Sequence, residues 1–163
     1  MFNVVLIEPE IPPNTGNVGR LCLATGSTLH LVKPLGFSLE DRQLKRAGLD
    51  YWNEVDVRTW DSFAELQNAQ AASARYLLLT TKTKKPYHEV RFKPGDFLVF
   101  GRETKGLPEN MLAANIDNPE MIGAREPFRS CITIPMRGTR SLNLATAVAI
   151  VLFEAVRQQA ASQ

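Results

Sequence analysis

Three short segments carry residues whose types and spacing suit chemistry on a charged ligand. They are Asn14-Thr15-Gly16-Asn17-Val18-Gly19-Arg20, Gly101-Arg102-Glu103-Thr104-Lys105-Gly106, and Met136-Arg137-Gly138-Thr139-Arg140-Ser141-Leu142-Asn143. Each combines glycine with amide, hydroxyl or charged groups. The first follows an apolar run, Val4-Val5-Leu6-Ile7, and precedes a helical pattern at Leu21-Cys22-Leu23-Ala24. Pro12 and Pro13 stop the strand pattern, and Asn14 or Thr15 can cap the helix. A strand, a loop with free helix amides and then a helix is a natural anion or nucleotide site. Arg20, one turn into that helix, is expected to point inward as a fixed positive charge. The bland alternative is an ordinary helix start with a solvated arginine.

Asn14 to Gly19 also resembles a dinucleotide fingerprint whose first glycine is replaced. The next strand, Leu29-His30-Leu31-Val32, ends in Lys33-Pro34 rather than in an acidic residue that would hold a ribose, which argues against a standard NAD site. Beside His30 and His88 stand only Cys22 and Cys131, and no metal-ligand spacing results. Both cysteines lie in apolar surroundings and read as small core residues of a reducing compartment.

The elements that must position these loops alternate short apolar runs with helical patterns, as in an α/β domain with a mainly parallel sheet flanked by helices. Strands are predicted at Val4–Ile7, Leu29–Val32, Arg75–Thr80, Asp96–Phe100 and Cys131–Ile134. Helix starts are read at Ser38–Asp41, Asp61–Leu66 and Pro108–Leu112, and a long helix from Leu142 to about Gln159 is apolar on most of its faces. The three polar segments follow strands, where α/β sheets bind ligands. Their 163 residues suit a single domain, 1–163, with 44% hydrophobic and 22% charged residues in the ordinary soluble range. A net charge of +2 permits nucleic acid without arguing for it. No apolar run approaches membrane length and Met1 leads directly into a strand, so a cytoplasmic protein is expected.

In order and spacing, Asn14-x-Gly16-x-x-x-Arg20, Gly101-x-Glu103-x-x-Gly106 and Ile134-Pro135-Met136 through Ser141-x-Asn143 resemble the three motifs of the SPOUT RNA 2′-O-ribose methyltransferases. The likeness covers nearly the whole chain. Flanking segments Glu8–Asn17, Leu35-Gly36-Phe37 and Gly48-Leu49-Asp50-Tyr51 are similar to a minimal subgroup that methylates the wobble cytidine or uridine of leucine tRNAs. The resemblance implies a deep trefoil knot, a homodimer, S-adenosylmethionine as methyl donor and tRNA as partner. It places cofactor contacts at Leu79, Gly101, Ile134 and Ser141, and catalytic roles at Arg20, Glu103, Ser141, Asn143 and Asn14. Two departures stand out. Arg102 occupies a position often held by proline, and the segment between Met136 and Ser141 is one residue shorter.

Within that reading, Arg20 is the central residue. A guanidinium scarcely deprotonates, so stabilisation of developing alkoxide charge suits it better than the role of base. Glu103 is expected to orient Arg20, Asn14 to hold the ribose or its loop, and Ser141 and Asn143 to fix cofactor and substrate edges. Two basic clusters, Arg42-Lys45-Arg46 and Lys82-Lys84-Lys85, are candidate phosphate contacts. Tyr51 and Trp52 either stack on an unpaired base or pack in a hydrophobic corner. The rival readings are a non-catalytic RNA-binding scaffold of the same fold and a methyltransferase for another tRNA or rRNA position.

Overall fold

Alternating side chains of β1 (Asn3–Ile7) explain the architecture. Val4 and Leu6 enter one apolar cluster and Val5 and Ile7 another, so the strand is covered on both faces, as parallel strands require. The computed structural model describes residues 1–113 and 128–161, and the backbone alone at 45, 48–50 and 128. The chain continues through α1 (Pro12–Thr25), β2 (Thr28–Val32), α2 (Arg42–Gly48), β3 (Val57–Trp60), α3 (Phe63–Asn68), β4 (Arg75–Leu79), β5 (Phe97–Phe100), α4 (Glu109–Leu112), β6 (Phe128–Ile132) and α5 (Leu144–Ala160). A 3₁₀ turn, Leu49–Glu54, follows α2.

The six strands are parallel, in the order β3-β2-β1-β5-β4-β6. Strand order reverses around β1, which pairs with β2 on one side and β5 on the other. The loops leaving β1, β4, β5 and β6 therefore share the carboxyl edge of the sheet, where α/β folds place ligands. One core joins Leu29, Leu31, Leu77, Leu98 and Phe100 to Val18 and Cys22 of α1 and to Val148 and Leu152 of α5. The other joins Val32, Tyr76, Leu78 and Val99 to Leu66 and Leu112.

Several expectations are corrected. The polypeptide enters α1 at Pro12, with the two prolines as its first residues and Ile11 before them without a side-chain cap. Proline lacks the amide that the first turn leaves unpaired, so it opens this helix besides ending the strand pattern. Asn14 and Thr15 are thus buried inside the first turn rather than capping it. The strand expected at Cys131–Ile134 begins earlier and ends at Ile132. The predicted helix start at Ser38 lies further on, where Asp41 Oδ1 accepts the Gln43 amide and α2 begins at Arg42. In α5, Val148 and Leu152 are fully buried, whereas Phe153 is 46% exposed. Among the described residues, no helix is long and apolar enough to cross a membrane.

Candidate active site

The second polar segment is bound to the first by reciprocal carboxylates. Glu103 accepts the amides of Glu10 at 2.8 Å and Ile11 at 3.1 Å. It therefore does what an absent cap side chain would do, in trans, for the residues entering α1. Glu10 reaches back to the amide of Thr104 at 3.1 Å and to its hydroxyl at 2.8 Å. Arg102 closes the base of the loop with an ion pair to Glu8, so the residue that departs from the expected proline has a local partner. Glu8 holds a left-handed backbone at φ 50, an uncommon conformation for a residue with a Cβ. At Gly101, an added Cβ would meet the carbonyl carbon of Gly106 at 2.0 Å and the amide nitrogen of Leu107 at 2.1 Å. Glycine is required there so that the loop can fold onto itself.

The third segment joins through Asn143, the N-cap of α5. Its Oδ1 accepts the amides of Ala145 and Thr146. That leaves its Nδ2 to donate to Asn14 Oδ1 at 2.9 Å, and Asn14 Nδ2 donates in turn to Glu103 Oε1 at 3.3 Å. Helix capping thus fixes which way the Asn143 amide faces, and Asn143 fixes Asn14. One hydrogen-bonded chain, Asn143 to Asn14 to Glu103, ties together segments up to 129 residues apart in sequence.

Beside this chain opens a cavity of about 550 Å³. Leu79, Gly101, Ile134 and Ser141 line it, and so do Asn14, Glu103 and Asn143. Apolar walls from Leu107 and Leu144 accompany hydroxyls from Thr80, Thr81 and Ser141. This mixture and size suit a ligand with both an aromatic and a charged part. All predicted site residues except Arg20 thus converge on one cavity.

Arg20 is exposed rather than inward and does not line the cavity. Its guanidinium lies 5.9 Å from the centre of the Tyr51 ring, itself 46% exposed. Glu103 does not orient it, because that carboxylate is engaged with the first turn of α1. Trp52 follows the packing alternative: it fills the space beside Gly19, where an added Cβ would stand 2.6 Å from its ring. Of the basic clusters, Lys82 pairs with Glu109 and Lys85 Nζ donates to Ser130, while the Lys45 side chain lies outside the described residues. The sequence reading missed Glu8 and Glu10, whose partners lie more than 90 residues away. Burial pushes the Cys22 thiol up to about 12, as suits a core residue.

The chain has similar proteins among those already known. Residues 1–153 match the family model of the SpoU rRNA Methylase family. This chain belongs to that family. Among the similar proteins is a tRNA (cytidine(34)-2′-O)-methyltransferase of Burkholderia ambifaria, 47% identical over 97% of this chain and 96% of that protein. A solved structure described as giving insights into the 2-OH methylation of C/U34 on tRNA superposes with a TM-score of 0.86 at 46% identity, covering 99% of this chain and 97% of that one. An AdoMet-bound rRNA methyltransferase of Sinorhizobium meliloti is similar at 25% identity and a TM-score of 0.74, over 96% of this chain and 56% of its own.

Proposed function

We propose that this chain is an S-adenosylmethionine-dependent 2′-O-ribose methyltransferase acting on the wobble nucleotide of tRNA, with leucine isoacceptors as substrates. In this reading residues 1–163 form one cytoplasmic, trefoil-knotted catalytic domain that works as a homodimer. The observation that carries the reading is the Asn143–Asn14–Glu103 chain, which draws all three motif loops onto one cavity. Relatives that share nearly the full length and are named for position 34 support the choice of nucleotide.

S-adenosylmethionine supplies an electrophilic methyl group when bound. The chain's own part is position and electrostatics. Leu79 and Ile134 offer half-buried apolar walls, Gly101 offers backbone, and Ser141 an exposed hydroxyl. Asn14 and Asn143 present amides whose orientation the capping of α5 fixes, so they can hold the ribose edge without reorganising. Arg20 holds an RNA phosphate and stabilises negative charge on the 2′-oxygen as that hydroxyl's proton departs to solvent. Since Arg20 projects from an exposed face of α1 outside its own cavity, we assign it to RNA lying across two copies of the chain.

Mapping 2′-O-methylated nucleotides in tRNA from cells with and without the protein tests the reading. Loss of the mark at position 34 of leucine tRNAs is expected, and an unchanged mark contradicts it. Arg20→Ala is expected to lower single-turnover methylation about 10²–10³-fold while S-adenosylmethionine affinity, read by calorimetry, stays within a few-fold. Arg20→Lys is expected to be nearly as damaged, because it keeps charge but loses the planar fork. The position of Arg20 outside the cavity also gives the scaffold reading one observation in its favour. A near-normal rate for Arg20→Ala would remove Arg20 from the mechanism, and RNA binding with no turnover by the native protein would establish the scaffold.

A further inference from the structure

Charge is unevenly placed along this chain. The segments 80–86, 101–109 and 133–143, which leave β4, β5 and β6 around the cavity, hold seven of the 19 lysines and arginines. They hold only two of the 17 acids, Glu103 and Glu109, and so carry a net charge of +5 in a chain of +2. The rest of the sequence is therefore net negative. Of the two acids, Glu103 is engaged by backbone amides and Asn14 rather than by a rim cation.

Not every cation at the mouth is held by a partner. Away from the mouth, several have a carboxylate partner: Arg58 with Asp56, Arg157 with Glu154, Lys33 with Asp61, and Arg75 with Asp96. At the mouth, Lys82, Lys85 and Arg102 are engaged by Glu109, Ser130 and Glu8. Lys84, Lys105, Arg137 and Arg140 are exposed and make no hydrogen bond or ion pair among the described residues. Lys105 and Arg140 line the cavity, and Lys84 and Arg137 lie within two residues of the lining residues Lys82 and Met136. Like charges gathered on one rim repel one another, and an anionic polymer laid over them relieves that repulsion.

We infer that Lys84, Lys105, Arg137 and Arg140 form the rim on which the RNA backbone docks, its phosphates spanning the loops after β4, β5 and β6 above the cavity. The inference rests on RNA being the substrate. Such contacts position the polynucleotide without reading its sequence, and each neutralised phosphate releases counterions. The rim thus supplies salt-dependent affinity, while the choice of nucleotide is made inside the cavity.

Binding of an unmodified leucine tRNA transcript to the full-length protein, followed by fluorescence anisotropy between 50 and 200 mM salt, tests this. The variant Lys84→Ala/Lys105→Ala/Arg137→Ala is expected to bind at least about tenfold more weakly, and its log Kd against log salt slope should fall by about one per lost contact. A control, Arg58→Ala/Arg157→Ala, removes two cations paired elsewhere and is expected to bind within about twofold of the native protein. Matching melting temperatures establish that both variants are folded. Native affinity and slope in the rim variant overturn the inference, as does an equal loss in the control. If the native protein leaves position 34 unmethylated while the rim variant still binds RNA weakly, the docking surface stands and the assigned activity fails. If position 34 is methylated at the native rate by the rim variant at sub-saturating RNA, the activity stands and the docking surface fails.

Discussion

The two ends of the sheet are both polar, yet they use polarity differently. At the amino edge, polar groups satisfy one another. Asp96 is buried, with Arg75 Nε at 3.2 Å in a charge pair not aligned as a hydrogen bond, and Asp96 Oδ2 accepts the Lys93 amide. Midway along β2, buried His30 accepts the Trp60 indole N–H at Nδ1 and donates from Nε2 to Asn3 at the amino end of β1. At the carboxyl edge, the Asn143–Asn14–Glu103 network ties loops together beside a cavity, hydroxyls line that cavity, and Lys84, Lys105, Arg137 and Arg140 are exposed on its rim. The lesson is that buried polar pairs fix the fold at one end, while a partly paired set at the other leaves groups available to a ligand. Changes at the amino edge should therefore cost stability and leave ligand affinity alone, and changes at the carboxyl edge should do the reverse.

Arg75→Ala is expected to have the largest effect on stability. Burial already raises the Asp96 carboxyl despite its cationic partner, and removing that partner leaves a buried acid without its charge pair. A loss of about 3 kcal/mol in urea unfolding is expected, with unchanged S-adenosylmethionine affinity. A comparable loss of affinity in the folded variant would show that the two ends are coupled.

Acid should act through His30. Desolvation, with Arg58 adding to it and Asp56 opposing, lowers its pKa from 6.5 to about 4. The folded imidazole stays neutral where the unfolded one takes up a proton, so stability present above pH 6.5 is lost as pH falls toward 4. The full span is worth roughly 3 kcal/mol. Urea unfolding of native protein and of His30→Gln at pH 7.5 and 4.5 isolates this term, since other carboxylates are common to both. Parallel pH profiles would remove His30 as the cause.

Asn143→Ala sharpens the other side. Loss of the α5 cap should cost about 1 kcal/mol, the smallest stability change of the three. Because Asn14 also loses its donor, methyl transfer should fall well beyond what that change in folded fraction explains. Activity that merely tracks the melting temperature would reduce the network to a cap.

What could be read from sequence follows from where the physical signal was local. The apolar residues of β1, β2, β4 and β5 mark buried strands, and glycine with charged neighbours marks the loops beyond them. β3 is not legible because Val-Arg-Thr-Trp at the sheet's edge has no apolar run, and its burial does not alternate, with two exposed residues between two part-buried ones. Arg20 was placed inward because a pattern of one helix gives a face but not which neighbour covers it; α2 and the turn carrying Tyr51 cover part of α1 and leave Arg20 outside. Glu103 was assigned the wrong partner for a similar reason. Its choice of the α1 entry over Arg20 depends on backbone amides left open by two prolines, across 93 residues.

Methyl transfer to one ribose oxygen is the reaction proposed for the cavity. Two leucine tRNA transcripts, identical except for a 2′-deoxy nucleotide at position 34, put it to a direct test with purified protein and methyl-labelled S-adenosylmethionine. Label is expected in the transcript with ribose at position 34 and absent from the 2′-deoxy transcript. Equal labelling of both, or labelling of neither, would contradict the account.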